Sequence, residues 1–404
     1  MPDNTLFTRR QLLMIGLIVI IILVMALLAY PGEGTYLDRL RWALTVVTEP
    51  IEEATPDPST PIIPATSVAK KSPTPRKAAA RDWYEIYFTH PTCPPEANRH
   101  GGLDEIVIKD LLTARKQVDI AMYDLSEESI VDVLINLHEK KGAVIRVVTD
   151  SDNEDMSQIH KLRRHGISVV TDKRSGIMHD KFVIIDNNKV WTGSLNLTSR
   201  GVYCNNNNFV RFNHVPQLVA NYRAEMDEMY VQRLFGPKSP DNTPYEDFTF
   251  KNTHISNYFS PERSVIPEIA RTIAAAEDEV LIMAFSFTNR TLGEAALGRA
   301  ETGVSIRAIF ESLGSDADTS YFGQIQRDRY ANVKVRRHIS NGIMHHKVII
   351  IDRKTVIFGS YNFTESADSK NDENIIIVHD PNFASYFLKE FERRWKESKT
   401  AAPR

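Results

Sequence analysis

The sequence predicts an α/β protein made of two similar α/β sandwich domains in tandem, packed face to face and preceded by one transmembrane helix. Three observations carry this. The phrase GIMHDKFVIID at 176–186 returns as GIMHHKVIIID at 342–352 with only three differences. Around each copy, short apolar β-branched runs alternate with helical patterns, the order expected when helices cover a sheet. Residues 12–29, LLMIGLIVIIILVMALLA, carry no charge over eighteen positions. At about 1.5 Å per residue that run just spans a hydrocarbon core of about 30 Å.

Residues 1–30 are read as an uncleaved anchor. Arg9 and Arg10 precede the apolar run, and Glu33, Asp38, Glu49 and Glu52 outnumber Arg39 and Arg41 after it. The positive-inside bias then keeps the N-terminus cytoplasmic and places the bulk of the chain outside, as a single-pass membrane protein. A cleaved signal peptide fits less well, because its apolar region runs only about 7–15 residues before a small-x-small site, and ALLAYPG is a poor one. Residues 31–82 form the juxtamembrane segment and linker. Leu37, Leu40, Leu44 and Val47 recur at helical spacing beside Trp42, fitting a short helix on the membrane surface or a plain spacer. Residues 53–81 hold six prolines and no glycine, a semi-extended tether that builds no core. Its end is basic (Lys70, Lys71, Arg76, Lys77, Arg81), which keeps a linker solvated and near a bilayer could touch anionic headgroups.

The rest of the 404-residue chain, too long for one ordinary core, reads as two copies of one pattern. EIYFTHP at 85–91 opens the first and SNYFSPE at 256–262 the second. VDIAMYDLS at 118–126 matches VLIMAFSFT at 280–288 at an offset of 162, and GAVIRVVTD at 142–150 matches GVSIRAIFE at 303–311 at 161. From 176 to 212 the offset is a constant 166. Helices are expected at 127–139 and 290–301, with closing helices at 217–235 and 381–398. The domains are placed at 83–250 and 251–404. With 42% apolar and 25% charged residues the composition is globular. A net charge of −3 gives no global pull toward nucleic acid. Cys93 and Cys204 could form one bridge but are read as two unpaired small side chains; they show no zinc spacing.

Each phrase fits His-x-Lys-x4-Asp. His179 and Lys181, like His345 and Lys347, are two apart and share one face of a strand. Asp186 and Asp352 follow each His by seven, an odd step that turns them off that face and marks them as support or turn residues. GSLN then places Ser194 and Asn196, and GSYN places Ser360 and Asn362, just past the next strand. Gly193 and Gly359 are expected to let backbone come close to a bound group.

This doubled set resembles the HKD motif of the phospholipase D superfamily, over residues 83–398, and is most similar to the compact bacterial nuclease and cardiolipin-hydrolase branch. Single-motif members of that branch dimerise to complete one site, so the resemblance implies one active site shared by the two halves and a chain complete as a monomer. It implies hydrolysis of a phosphodiester through a phosphohistidine. One imidazole attacks phosphorus; the other protonates the leaving alcohol and then activates water. Lys181, Lys347, Asn196 and Asn362 donate to the phosphoryl oxygens, with Ser194 and Ser360 assisting. No cofactor is implied: divalent metals want clustered carboxylates, and this face carries two ammonium groups instead. Lys173, Arg174, Arg336 and Arg337, just before the motifs, extend the anionic-substrate field or are ordinary solvated charges. Glu373 lies 28 residues past His345, where the family often has a carboxylate partner, and aligns with Asn207 in the first half. That split favours His345 as the supported base, whereas two-motif relatives use the first-half histidine as nucleophile; the reading leans to His179. The substrate is expected to be a phospholipid, cleaved to phosphatidic acid and alcohol outside the cytoplasm. A nucleic-acid endonuclease and a cardiolipin synthase-like transferase are the alternatives.

Overall fold

The computed structural model describes residues 76–313, 320–321, 330–339 and 342–400. The expected anchor at 12–29 and most of the linker lie outside the described residues. Among the described residues no helix is long and apolar enough to cross a membrane.

The first half runs β1 (Arg76–Arg81), β2 (Tyr84–Phe88), α1 (Leu103–Leu111), β3 (Gln117–Met122), α2 (Glu128–Lys141), β4 (Val144–Thr149), α3 (Ser157–Arg164), β5 (Val169–Thr171), β6 (Lys181–Ile185), β7 (Lys189–Gly193), α4 (Ser199–Tyr203), β8 (Asn208–Asn213) and α5 (Pro216–Asp227). The second runs β9 (Asp247–Phe250), β10 (Thr253–Ser260), α6 (Ile266–Ala274), β11 (Glu279–Ala284), α7 (Arg290–Glu301), β12 (Ser305–Phe310), β13 (Val333–Arg337), β14 (Lys347–Ile351), β15 (Thr355–Gly359), α8 (Glu365–Ser369), β16 (Glu373–His379), α9 (Pro381–Glu397) and β17 (Lys399–Thr400). Each half makes one mixed sheet, ordered β1-β2-β8-β7-β6-β3-β4-β5 and β17-β13-β12-β11-β14-β15-β16-β10-β9. In both, the motif strand (β6 or β14) lies at the centre, antiparallel to β3 or β11.

Central strands covered on both faces read as continuous apolar runs, and KFVII and KVIII are buried at every position. The outer face of the first sheet packs on α1, α2 and α3 through Leu103, Val107, Leu134 and Ile159. The outer face of the second packs on α6 and α7 through Ile269, Ile273, Leu292 and Ala296. The two inner faces share one core, into which α5 sends Leu218, Tyr222 and Met226 and α9 sends Phe383, Phe387 and Phe391. The halves therefore meet through a continuous apolar layer.

Three expectations are corrected. Cys93 and Cys204 are joined in a disulfide that spans 111 residues of sequence. Closing so long a loop in the unfolded chain is worth on the order of 4–5 kcal/mol. Strand β1 pairs with β2 from Arg76 to Arg81, so the first sheet begins inside the segment read as linker. The boundary at 250/251 falls in the β9–β10 turn, where Lys251 and Asn252 have positive φ. Strand β9 belongs to the second sheet, so the second domain starts by Asp247.

Candidate active site

Each motif histidine sits just before its motif strand, on backbone that pairs with the opposite half. Met178 bridges Asp372 and Met344 bridges Asn206, both in parallel. The His179 N–H donates to the Asp372 carbonyl at 2.9 Å, and the His345 N–H to the Asn206 carbonyl at 3.0 Å. The motif glycines make this approach possible. A Cβ on Gly342 would lie 1.8 Å from the Cys204 carbonyl, and one on Gly176 2.5 Å from the Lys370 carbonyl.

These crossed bridges set the partners of the imidazoles. His179 Nδ1 lies 2.8 Å from Glu373 Oε2, and His345 Nδ1 lies 2.8 Å from Asn207 Oδ1. The Asn207 amide is oriented by its own Nδ2, which donates to the Gly201 carbonyl. With Nδ1–H donating to these oxygens, Nε2 is the basic nitrogen of each neutral ring; the Ser360 and Ser194 backbone carbonyls also hydrogen-bond the His179 and His345 rings. The sequence had matched Glu373 to the histidine of its own half. The structure gives it to the other half's histidine, because strand β16 enters the seam beside Met178.

The two halves converge on one another. The charges felt by His179 include Lys347, and those felt by His345 include Lys181 and His179. Lys181 and Lys347 are buried and donate back to the carbonyls of His179 and His345. Burial, then the two ammonium groups, pushes both histidines well below their ordinary range. Burial also brings Lys181 down to about 8 and raises Glu373 to about 8. Burial therefore disfavours isolated charge at this centre. Aromatic edges wall it at equivalent places: Tyr123 packs 5.3 Å from His179 and Phe285 5.3 Å from His345. These two carry no motif of their own, but they occupy aligned positions just past β3 and β11.

The other candidates fall into two groups. Ser194 Oγ donates to Asn207 Oδ1 at 2.9 Å, and the Ser360 hydroxyl hydrogen-bonds Glu373. Both serines are fully buried and hold the histidine partners. Asn196 and Asn362 are half-buried, each with an amide oxygen that has no hydrogen-bond partner. Asp186 and Asp352 are elsewhere, past the far ends of β6 and β14 with positive φ. The Asp186 carboxylate accepts from the backbone N–H groups of Arg115, Lys116 and Gln117, and that of Asp352 from Glu277, Asp278 and Glu279. Gly193 and Gly359 lie against the Asn208 and Asn374 carbonyls of the neighbouring strand, not against a ligand cleft. Arg174 pairs with Asp372 across the seam. Two further acids, Asp150 and Glu311, accept from the Met178 and Met344 N–H groups and so fix the backbone entering each histidine. Their signal was the repeat itself, since each ends an aligned strand.

Two histidines, two buried lysines and one carboxylate, gathered from both halves of a repeat, are the groups that phosphoryl transfer to water calls for. Comparison with known proteins agrees. A family model described as "Cardiolipin synthase, PLD-like domain" matches residues 107–230 and 269–395. The phospholipase D of Rickettsia felis is 31% identical over 163 residues, 40% of this chain and 80% of that protein. The mitochondrial cardiolipin hydrolase of Mus musculus is 34% identical over 134 residues, 33% of this chain and 59% of that protein. The crystal structure of phosphatidylserine synthase from Haemophilus influenzae Rd KW20 shares the fold with a TM-score of 0.59, at 12% identity, covering 74% of this chain and 85% of that one. The chain belongs to the phospholipase D superfamily and is a phosphodiesterase.

Proposed function

We propose that this chain is a membrane-anchored phospholipase D that hydrolyses a phospholipid headgroup ester outside the cytoplasm, with His179 as nucleophile and no catalytic metal. The crossed His179–Glu373 contact carries the assignment of roles. A carboxylate on Nδ1 stabilises the positive charge that the ring acquires on bonding phosphorus. His345, with only the neutral Asn207 amide, is the proton carrier. The substrate phosphate offsets Lys181 and Lys347, so His345 holds a proton in the bound complex and delivers it to the leaving alcohol. The same nitrogen then accepts a proton from water as it attacks the phosphohistidine. Both ammonium groups and the Asn196 and Asn362 amides neutralise the phosphoryl oxygens.

The lipid reading is supported by the apolar run at 12–29, the net charge of −3 and the names of the relatives. Leu313 and Ile339 add to it. Both are exposed, at 75% and 50%. Leu313 donates its N–H to the Glu311 carboxylate that also holds Met344 beside His345. Placement outside the cytoplasm fits the Cys93–Cys204 disulfide, which persists in oxidising compartments.

The test offers phospholipid vesicles and single-stranded DNA in parallel, in EDTA and well below the melting transition. The full chain should release headgroup from vesicles and leave DNA intact. A chain trimmed to begin at Ala69 keeps β1 and should retain turnover on detergent-dispersed lipid while losing activity on vesicles, because the anchor supplies local concentration. DNA cleavage without headgroup release would assign the enzyme to nucleic acid, and equal vesicle activity after trimming would remove the anchor from the account.

A further inference from the structure

Away from the catalytic face, three carboxylates meet at the seam. Glu225 lies on α5, Glu228 opens the turn that follows it, and Glu262 lies just past β10 in the second half. One oxygen from each lies within 4.8 Å of the others. Glu225 and Glu228 are 3% and 2% exposed. Glu225 Oε1 and Glu228 Oε2 have no hydrogen-bond partner, although Asn242 and Ser239 hydrogen-bond the Glu228 carboxylate and Glu262 bonds its own backbone. Among the described residues, no lysine, arginine or histidine forms an ion pair with any of the three. Buried carboxylates left this way are costly unless a cation joins them.

The internal repeat shows what such a place normally holds. Glu225 and Glu390 each lie nine residues past the proline that opens α5 or α9. In the second half, Glu390 is ringed by cations: Arg394 Nε at 3.1 Å, His346 Nε2 at 3.6 Å, and Arg393. In the first half the matching positions are Met229 for Arg394, Asp180 for His346 and Glu228 for Arg393. All three cations are gone and two are replaced by acids. Glu262 then adds another carboxylate.

We infer that Glu225, Glu228 and Glu262 bind a divalent cation of the calcium type, which replaces the missing side-chain cations and clamps the first half to the second. Hard oxygen donors suit such an ion, and three carboxylate oxygens within 4.8 Å of one another can all reach one cation at bond lengths of about 2.3–2.6 Å. Magnesium instead demands near-ideal octahedral geometry at about 2.0–2.1 Å and gives up its waters reluctantly. Asp372, the neighbour of Glu373, is among the charges that all three carboxylates feel. The ion's role is to hold the seam, not to touch phosphate.

The test uses the full chain in detergent, stripped with EDTA and then dialysed free of it. Calcium chloride is titrated by calorimetry, with magnesium chloride as comparison, and melting is followed in parallel. Wild type should bind about one calcium ion and melt higher with it. Glu262→Gln, on the least buried ligand, should weaken calcium binding at least tenfold. Glu228→Arg restores the cation that Arg393 provides in the other half. It should abolish the calcium response and, without metal, melt at least as high as calcium-free wild type. No calcium binding by wild type at millimolar concentration overturns the inference, and so does an unchanged calcium response in Glu228→Arg. Neither result bears on the phosphodiesterase assignment, which is read by turnover in EDTA.

Discussion

The crossed partner of His179 can be tested by removing its charge and little else. Glu373 is fully buried, with Oε2 2.8 Å from the ring nitrogen. Glu373→Gln keeps an acceptor in place, so the ring keeps its tautomer, but the positive phosphoimidazole loses its counter-charge. A hydrogen bond to a charged group is worth about 1.5–3 kcal/mol, which corresponds to about 10- to 100-fold in the rate of phosphoenzyme formation. Asn207→Ala removes a neutral bond from His345, worth about 0.5–1.5 kcal/mol, or at most about tenfold. Rapid-quench measurement with bis(p-nitrophenyl) phosphate separates the two further. Its leaving group departs without a proton, so His345 matters little in the first step. Glu373→Gln should still slow the burst, and Asn207→Ala should leave it near wild type. If Glu373→Gln stays within about twofold of wild type, or both variants slow the burst equally, the crossed pair does not set the roles.

Two further outcomes follow from groups outside the chemistry. Burial alone would raise Asp186 and Asp352, but three backbone N–H donors each hold them below the ordinary range; Asp186→Asn or Asp352→Asn should therefore cost about 1–2 kcal/mol of stability at neutral pH, with kcat changed less than about threefold, and scanning calorimetry with turnover checks both. That stability is present above the unfolded carboxylate value of about 4 and is lost as pH falls through the lower folded value, so the variants should converge with wild type in acid. Asp180 has the opposite sign: burial, assisted by Asp372 and Glu373, raises it to about 8, so its contribution is fully present below about 4 and lost as pH climbs toward 8. Asp180→Asn keeps an acceptor for Asn374 Nδ2, now 2.6 Å away, and should melt higher than wild type at pH 8.5 but not at pH 5; parallel melting curves at both pH values would contradict this.

The repeat made most of the fold readable. The buried runs KFVII and KVIII and the regular offset of 166 revealed the motif strands and their neighbours. The odd step to Asp186 also told that it turns away from the histidine, as its bonds to residues 115–117 show. What stayed hidden depends on how the halves meet. Glu373 is in register with Asn207 along the chain, but the Met178–Asp372 bridge hands it to His179. No spacing within one copy encodes a pairing made across the seam. The Cys93–Cys204 bond lies within the first half and is hidden by distance along the chain, since 111 residues separate two cysteines that the β2–β8 pairing brings together. The serines of GSLN and GSYN looked like phosphate donors because side chains that hold a partner and side chains that touch substrate follow the same motif.

In the proposed mechanism a single composite site divides the work: the first half attacks and the second half carries the proton. The most direct measurement is to stop the reaction during steady turnover of a phosphodiester labelled in the phosphoryl group retained by the enzyme, and to map the labelled peptide under conditions that preserve phosphohistidine. The label should be on the peptide containing His179, absent in His179→Asn, and accumulated in His345→Asn when the leaving group needs no proton. Label on the peptide containing His345 would reverse the roles, and label on both in equal amounts would contradict the asymmetry that Glu373 imposes.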